Sequence, residues 1–236
     1  MDIFGAAALD FQSGNYTENI KTTSSLNEED ELPLPYLFRN FEDMPMIERT
    51  ALKMCKGSIL DIGCGAGSHS LHLQNNRLGV TALDSSKGAI EVCKKRGVKK
   101  VIFSDIMNFS DRTFDTLLLL MNGVGLAGNI KQLPRFLNHL KRLLKPGGQI
   151  LLDSSDIIYM FDKEDDGGYW LPGDVDYYGE VSFQMHYRGK KGPVFEWLYI
   201  DFETLSDYAQ KEDMNCDMIV KGQHYDYLAK LTPNKY

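Results

Sequence analysis

Five short apolar runs alternate with helix-like segments through the middle of the chain. The runs occupy residues 58–60, 79–83, 101–103, 116–120 and 149–153. Strands that alternate with helices predict parallel βαβ units. The clearest helix is predicted over residues 131–144, where apolar side chains recur at a period of 3.6. Those side chains are Leu133, Phe136, Leu137, Leu140, Leu143 and Leu144.

The segment before the first run has a different pattern. Residues 1–55 predict an N-terminal cap, with a helix over residues 3–11 and another over residues 46–55. Residues 12–35 are rich in polar and turn-forming residues, and we expect them to form a mobile loop. The remaining residues, 56–236, are expected to form one α/β domain, since that length can bury a sizeable core.

The segment after residue 153 is rich in aromatic and β-branched residues. Residues 180–188 and 194–201 predict a β-hairpin with a five-residue loop between them. A helix is predicted over residues 202–214, and a last strand over residues 224–231. The hairpin is therefore expected as an addition to the alternating core.

Charge and cysteine content restrict the partners. The chain has 26 basic and 33 acidic residues and a net charge of −7, which disfavours nucleic acid, because nucleic-acid binding depends on cationic contacts to phosphate. No apolar run is long enough to span a membrane, and no secretory segment is evident. The four cysteines are scattered without a C-x-x-C pair, which predicts free thiols, a cytoplasmic location and no metal.

A glycine-rich run over residues 61–67 carries the most specific chemistry. It lies between a predicted strand and a predicted helix, so glycines let a ligand approach the backbone while the helix N-terminus offers free N–H groups. The dinucleotide fingerprint G-x-G-x-x-G does not fit, because its sixth position is Ser68 counted from Gly63, or Ser70 counted from Gly65. The spacing that does fit is Asp-x-Gly-x-Gly-x-Gly.

This run resembles motif I of the class I S-adenosylmethionine (SAM) methyltransferases. The resemblance is specific over about residues 58–153 and weaker beyond, and includes the Leu-Lys-Pro-Gly-Gly lead into the fifth strand. It implies a Rossmann-like, doubly wound α/β fold. The expected sheet is mostly parallel and seven-stranded with an antiparallel C-terminal strand, and it carries an N-terminal helical cap and the β-hairpin.

The resemblance also implies a cofactor site for SAM, with S-adenosylhomocysteine as its product. Asp84 is expected to bond the ribose hydroxyls and Asp105 the adenine amino group, with Met121 and Asn122 beside the methionine end. Family members that methylate exocyclic amines or glutamine carry an Asn/Asp-Pro-Pro-Tyr motif at this place. In this chain Asn122 is followed by Gly-Val-Gly, so the amine-positioning chemistry of that motif is not carried over. The expected cofactor residues are Asp61, Gly63, Cys64, Gly65, Ala66, Gly67, His69, Asp84, Ser85, Asp105, Ile106, Met121 and Asn122.

The implied reaction is an in-line displacement onto a small-molecule acceptor. The sulfonium is already an activated leaving group, so positioning can supply most of the catalysis, and a general base is needed only if the acceptor holds a proton of high pKa. The sequence shows no compelling catalytic dyad. Candidate acceptor-side residues are Tyr16, Asp153, Ser154, Asp156 and Tyr159, and the N-terminal cap is expected to act as a lid.

Other functions share parts of this pattern. An aminopropyltransferase using decarboxylated SAM, or an NAD-dependent oxidoreductase, would also use an acid at Asp84, although the glycine spacing disfavours NAD. A non-enzymatic SAM-binding module would use the same loop. The acceptor and the oligomeric state are left open.

Overall fold

The computed structural model describes residues 1–163, 168–170, 173 and 175–234. Its helices are α1 (Ile3–Gln12), α2 (Leu34–Leu37), α3 (Met46–Met54), α4 (Ser68–Asn75), α5 (Lys87–Lys95), α6 (Leu133–Arg142) and α7 (Phe202–Lys211). Its strands are β1 (Ile20–Ser24), β2 (Glu29–Leu32), β3 (Ser58–Ile62), β4 (Gly79–Asp84), β5 (Val101–Phe103), β6 (Phe114–Leu119), β7 (Leu144–Ser155), β8 (Glu180–Tyr187), β9 (Lys190–Leu198), β10 (Met214–Lys221) and β11 (Asp226–Pro233).

The main sheet has seven strands in the order β10-β11-β7-β6-β3-β4-β5. Strands β3 to β7 pair in parallel, whereas β11 is antiparallel to both of its neighbours, β7 and β10. The predicted fold class is therefore confirmed. The chain winds outward from β3 to β5 and then returns to β6 on the other side of β3, which creates the crevice where such sheets bind ligands.

The interior of the main sheet follows the predicted hydrophobic pattern. Leu117, Leu118 and Leu119 of β6 are fully buried, as expected for a strand covered on both faces. Helix α6 buries Leu133, Phe136, Leu137 and Leu140 against it. The helix is shorter than the predicted 131–144, because Pro134 fits only its first turn and Leu144 already begins β7.

A second, antiparallel sheet has the strand order β2-β1-β8-β9. The prediction of a mobile loop over residues 12–35 is wrong, because β1 pairs with β2 on one side and with β8 on the other. These N-terminal strands look polar because only Ile20 of their nine residues is buried. Among the described residues, β2 pairs only with its neighbour β1, whereas β1 also pairs with residues more than 150 positions away, Lys21 with His186 for example.

The C-terminal predictions need two corrections. The hairpin of β8 and β9 turns through Arg188 and Gly189 alone, not through five residues. Both have positive φ angles, 48° and 68°, as in a two-residue type I′ turn. Pro193 is tolerated inside β9 because that strand lies at the edge of its sheet. The helix predicted over 202–214 ends at Lys211, and β10 was not predicted.

Helix α1 packs across α5, where two glycines let the backbones approach closely. A Cβ added at Gly88 would lie 2.5 Å from the backbone of Gly5. The Asp2 carboxylate caps α1 through the Gly5 N–H and also accepts bonds from the Ser86 hydroxyl and the Gly88 N–H. The first residues of the chain are thereby held beside the end of β4.

Candidate cofactor and acceptor site

A cavity of about 680 Å³ opens at the carboxyl ends of β3, β4, β5 and β6. The glycine loop and the acids after the strands form its polar side. Helix α1 and strand β9 supply further walls, so both sheets contribute to it. The volume is within the range of about 300–1,000 Å³ that is usual for small-molecule sites.

The glycine loop adopts the backbone that its sequence predicts. Gly63, Gly65 and Gly67 have φ angles of 70°, 52° and 81°, in the left-handed region that favours glycine. Gly67 is the N-cap of α4, so the loop leads directly into a helix N-terminus beside the cavity. A Cβ at Gly65 would lie 3.4 Å from the ring of Phe4, which lines the same cavity.

Two acids follow successive strands at the cavity wall. Asp84, at the end of β4, is 8% exposed and accepts the N–H groups of Gly65 at 2.9 Å and Ser86 at 2.7 Å. Burial raises its pKa, and the two N–H donors oppose that rise. Asp105 is exposed and caps a short 3₁₀ turn through the Met107 N–H. Each carboxylate keeps acceptor capacity for ligand hydroxyl or amino groups.

The turn after β6 is held in an unusual conformation. Met121 and Asn122 both have positive φ angles, 67° and 58°, which non-glycine residues rarely adopt. The carboxylate of Asp153 accepts the N–H groups of Met121 and Gly123, at 3.1 and 2.9 Å. The Ser154 hydroxyl donates to the Asn122 side chain. This network fixes Met121 in the cavity wall.

A buried ionic network lies at the same end of the cavity. Arg39 donates both bonds of one guanidinium nitrogen to Glu48, and the His69 ring nitrogen Nε2 lies 2.8 Å from Glu48 Oε2. All three residues are at most 8% exposed, and Arg39 and His69 line the cavity. The Nε of Arg39 is buried without a protein partner among the described residues. Arg39 itself lines the cavity, so its guanidinium brings positive charge to this end.

An aromatic wall covers the remaining side. Phe195 and Trp197 of β9 line the cavity together with Met185 of β8 and Leu126. The Trp197 ring lies directly on Gly125, where an added Cβ would come within 2.1 Å of it. Phe195 meets Trp197 edge to face at 6.1 Å between ring centroids. This wall can hold the apolar part of a ligand beside the turn after β6.

Ten of the thirteen cofactor residues predicted from the sequence line this cavity. They are Gly63, Cys64, Gly65, Ala66, His69, Asp84, Ser85, Asp105, Ile106 and Met121. The other three support it from behind: Asp61 accepts the Ser70 hydroxyl, Gly67 begins α4, and Asn122 bonds Ser154 and Leu198. The structure thus gathers the predicted set at one place.

None of the five predicted acceptor-side residues lines the cavity, and each has another role. Tyr16 donates to Asn19 and packs on Phe11. Asp153 and Ser154 hold the turn after β6. Asp156 accepts the Tyr178 hydroxyl, and Tyr159 stacks on Tyr225.

Arg39, Glu48 and the aromatic wall were not predicted from the sequence. Glu48 reads as an ordinary helix residue, and its partners are nine and twenty-one positions away. The hairpin segments are visibly rich in aromatic residues, but their composition does not indicate which of those side chains point into the cavity.

Within the described residues, no group of three or more His, Cys, Asp or Glu side chains is arranged to hold a metal ion. No helix of that part of the chain is long and apolar enough to cross a membrane. The four cysteines are free, and Cys64 and Cys93 lie 3.7 Å apart between their sulfur atoms.

A glycine loop, two strand-end acids and a topological switch point define an α/β protein that binds a nucleoside-containing cofactor. Comparison with known proteins specifies the family. The profile of a methyltransferase domain matches residues 60–152. A crystal structure of a SAM-dependent methyltransferase from Bacteroides fragilis, in complex with S-adenosyl-L-homocysteine, is 45% identical, with a TM-score of 0.92 over 99% of this chain and 95% of that one.

The chain belongs to the SAM-dependent methyltransferases, as the sequence resemblance predicted. Two curated relatives match a shorter part of it. Cypemycin N-terminal methyltransferase of a Streptomyces species is 30% identical over 42% of each chain. The 2-phytyl-1,4-naphtoquinone methyltransferase of Nostoc punctiforme is 35% identical over 38% of this chain and 43% of its own. The chain spans less than half the length of these two relatives.

Proposed function

We propose that this protein transfers the methyl group of SAM to a small-molecule acceptor held against the aromatic wall. One observation carries the proposal: a single cavity joins the glycine loop and its acids to Phe195 and Trp197. The first part suits a nucleoside with a charged tail, and the second suits an apolar ring or chain. A transferase needs both partners in one enclosed space.

The cofactor's orientation follows from the order of the strands. Asp105 after β5 and Asp84 after β4 are the partners for adenine and ribose, so the methionine part extends over β3 towards Met121 after β6. Arg39, a cationic side chain that lines the cavity, suits the methionine carboxylate. With the cofactor placed in this way, the sulfonium methyl faces the end of the cavity that the aromatic wall covers.

The proposed step is a displacement at the methyl carbon. A lone pair of the acceptor forms the new bond to carbon, the carbon–sulfur bond breaks, and its electron pair neutralises the sulfonium to give S-adenosylhomocysteine. The chain's contribution is to align the two partners and to exclude water by the apolar wall. Met121, fixed by Asp153, keeps this part of the cavity wall rigid.

The nature of the acceptor is supported by size and charge. The cavity is shared by the cofactor and the acceptor, which favours a small molecule over a polymer. The net charge of −7 disfavours a nucleic acid. The relative from Nostoc punctiforme is named for a naphthoquinone, a flat apolar ring system of the kind that an aromatic wall can hold. The free thiols support a reducing compartment, so we place the reaction in the cytoplasm.

The experiment is methyl transfer from isotopically labelled SAM. The protein is incubated with labelled SAM and the small-molecule fraction of a cell extract, and labelled products are identified by mass spectrometry. The matched control is the Gly65→Val variant, in which the loop cannot hold the cofactor. A labelled metabolite that only the wild-type protein forms is the expected result. SAM binding without any labelled product would favour the non-enzymatic module.

A further inference from the structure

The imidazole of His69 is held by a carboxylate that is itself fixed by an arginine. Burial raises the pKa of Glu48, but the bonds from His69 and Arg39 outweigh burial and hold that pKa below its ordinary value. Glu48 is therefore an ionised carboxylate that only accepts hydrogen bonds. It follows that the His69 Nε2 at 2.8 Å carries a hydrogen and donates it to Glu48.

This arrangement fixes the tautomer of His69. When Nε2 carries the hydrogen of a neutral imidazole, the lone pair is at Nδ1. No residue in the described part of the chain bonds Nδ1. The ring is 7% exposed, and His69 lines the cavity. Its second nitrogen is thus a basic atom that has no protein partner among the described residues, on a side chain that lines the cavity.

The position of His69 in the fold brings it to the reacting end. It lies in the first turn of α4, after β3, and β3 lies between β4 and β6 in the sheet. The adenosine partners Asp84 and Asp105 follow β4 and β5, on the other side. His69 therefore shares the methionine end of the cavity with Met121, and it interacts with Asp153, the residue that holds Met121.

We propose that His69 is the catalytic base of the methyl transfer and that Glu48 and Arg39 orient it. As the acceptor's lone pair forms its bond to the methyl carbon, the acceptor's O–H or N–H proton passes to Nδ1 of His69. The carbon–sulfur electron pair goes to the sulfur, and the imidazolium that forms is stabilised by Glu48. The proton then leaves to water after the products are released.

This inference rests on the proposed methyl transfer and narrows its acceptor. A base is useful only for an acceptor that loses a proton, such as a phenol, an alcohol or an N–H amine. A tertiary amine or a thioether has no such proton. The acceptor class is therefore an apolar molecule with a hydroxyl or N–H group at the reacting end.

Several titratable groups lie around the imidazole. Glu48 of α3 bonds His69 directly, and Arg39 bonds Glu48. Asp61 of β3 and Asp153 of β7 interact with His69 through space. His72 is on the same helix. Tyr36 of α2 interacts with Glu48, Arg39 and Asp153.

The central test compares two histidines of one helix. His69→Gln keeps an N–H donor for Glu48 but has no basic nitrogen, whereas His72→Gln changes a half-buried histidine that stacks on Phe41 and does not line the cavity. We expect His69→Gln to lower kcat for the labelled product by about 100-fold or more, in the range of general-base catalysis. Affinity for S-adenosylhomocysteine should stay within a few-fold, and His72→Gln should keep wild-type kcat.

A second measurement distinguishes a base from a structural residue. His69→Ala is assayed with added imidazoles of increasing basicity, which can occupy the space that the side chain leaves. Rescue of kcat that rises with the basicity of the added imidazole supports the proposal. Equal kcat for wild type and His69→Gln, or a loss confined to cofactor affinity, would overturn it. Wild-type protein that labels no product would instead refute the methyl transfer itself, before any variant is compared.

Discussion

At the residue scale, the carboxylates around the cavity combine structural and ligand roles. Asp84 bonds two backbone N–H groups while it faces the cavity, so its predicted ribose contact and a capping role do not exclude each other. The glycine spacing and Asp84 could be predicted because both are encoded locally. The roles of Arg39 and Glu48 could not be predicted, because the two residues form a buried ion pair only when the tertiary structure brings them together.

Asp153 yields a pH prediction with a defined sign. Burial raises its pKa from the ordinary 3.8 to about 6, so the folded protein holds this proton more tightly than the unfolded chain. The stability that this carboxyl contributes is fully present below pH 3.8 and is lost as the pH rises through 6. In urea unfolding, the free energy of unfolding of wild type should therefore fall relative to that of Asp153→Asn between pH 4.5 and 7.

Asp176→Asn serves as the control for that series, because Asp176 pairs with Lys131 at the surface. Its difference from wild type should change less with pH than that of Asp153→Asn. A wild-type minus Asp153→Asn difference that stays constant over the same pH range would show that the carboxyl titrates as it does in the unfolded chain.

At the element scale, the glycine loop was predictable in detail and the second sheet was not. The loop is one short run between a strand and a helix, so its backbone requirements appear in its own residues. The second sheet joins β1 and β2 to β8 and β9 across most of the chain. Pairing at that distance leaves no local signal, and the polar outer face of β1 looks like a loop.

The loop gives a prediction with a matched control. Gly65→Val introduces a branched residue at a φ of 52° and towards Phe4, so we expect a folded protein with no measurable SAM binding in calorimetry. Gly79→Val makes the same change at the exposed start of β4, where an added Cβ meets nothing within 4 Å. It should bind SAM as wild type does. SAM binding retained by Gly65→Val would place the site elsewhere.

The aromatic wall gives a second prediction for an element. Trp197→Ala removes the ring from the proposed acceptor side of the cavity, so we expect kcat/KM for the acceptor to fall by about tenfold or more while KM for SAM changes little. A lost aromatic contact of this size corresponds to about 1.4 kcal/mol or more. Val194→Ala, an exposed position of the same strand, is the control. An equal loss of SAM affinity would show that Trp197 supports the cofactor instead.

At the scale of the whole molecule, the main sheet and its cofactor crevice could be predicted, but the enclosure of the site could not. Alternating runs and one motif determine a doubly wound sheet, because parallel strands with short connections have few arrangements. The walls come from α1 and from β9, which lie near opposite ends of the sequence. The division into a cap over residues 1–55 and a domain over residues 56–236 stays a prediction.

The most direct test of this account is the melting temperature with candidate cofactors. At a concentration 100 times its Kd, a ligand that binds only the folded state stabilises it by about 2.7 kcal/mol. For a chain of this size that raises Tm by roughly 5–10 °C. We predict such a rise with S-adenosylhomocysteine for wild type, a much smaller rise for Asp84→Ala, and none with NAD. A rise with NAD and none with S-adenosylhomocysteine would contradict the central claim.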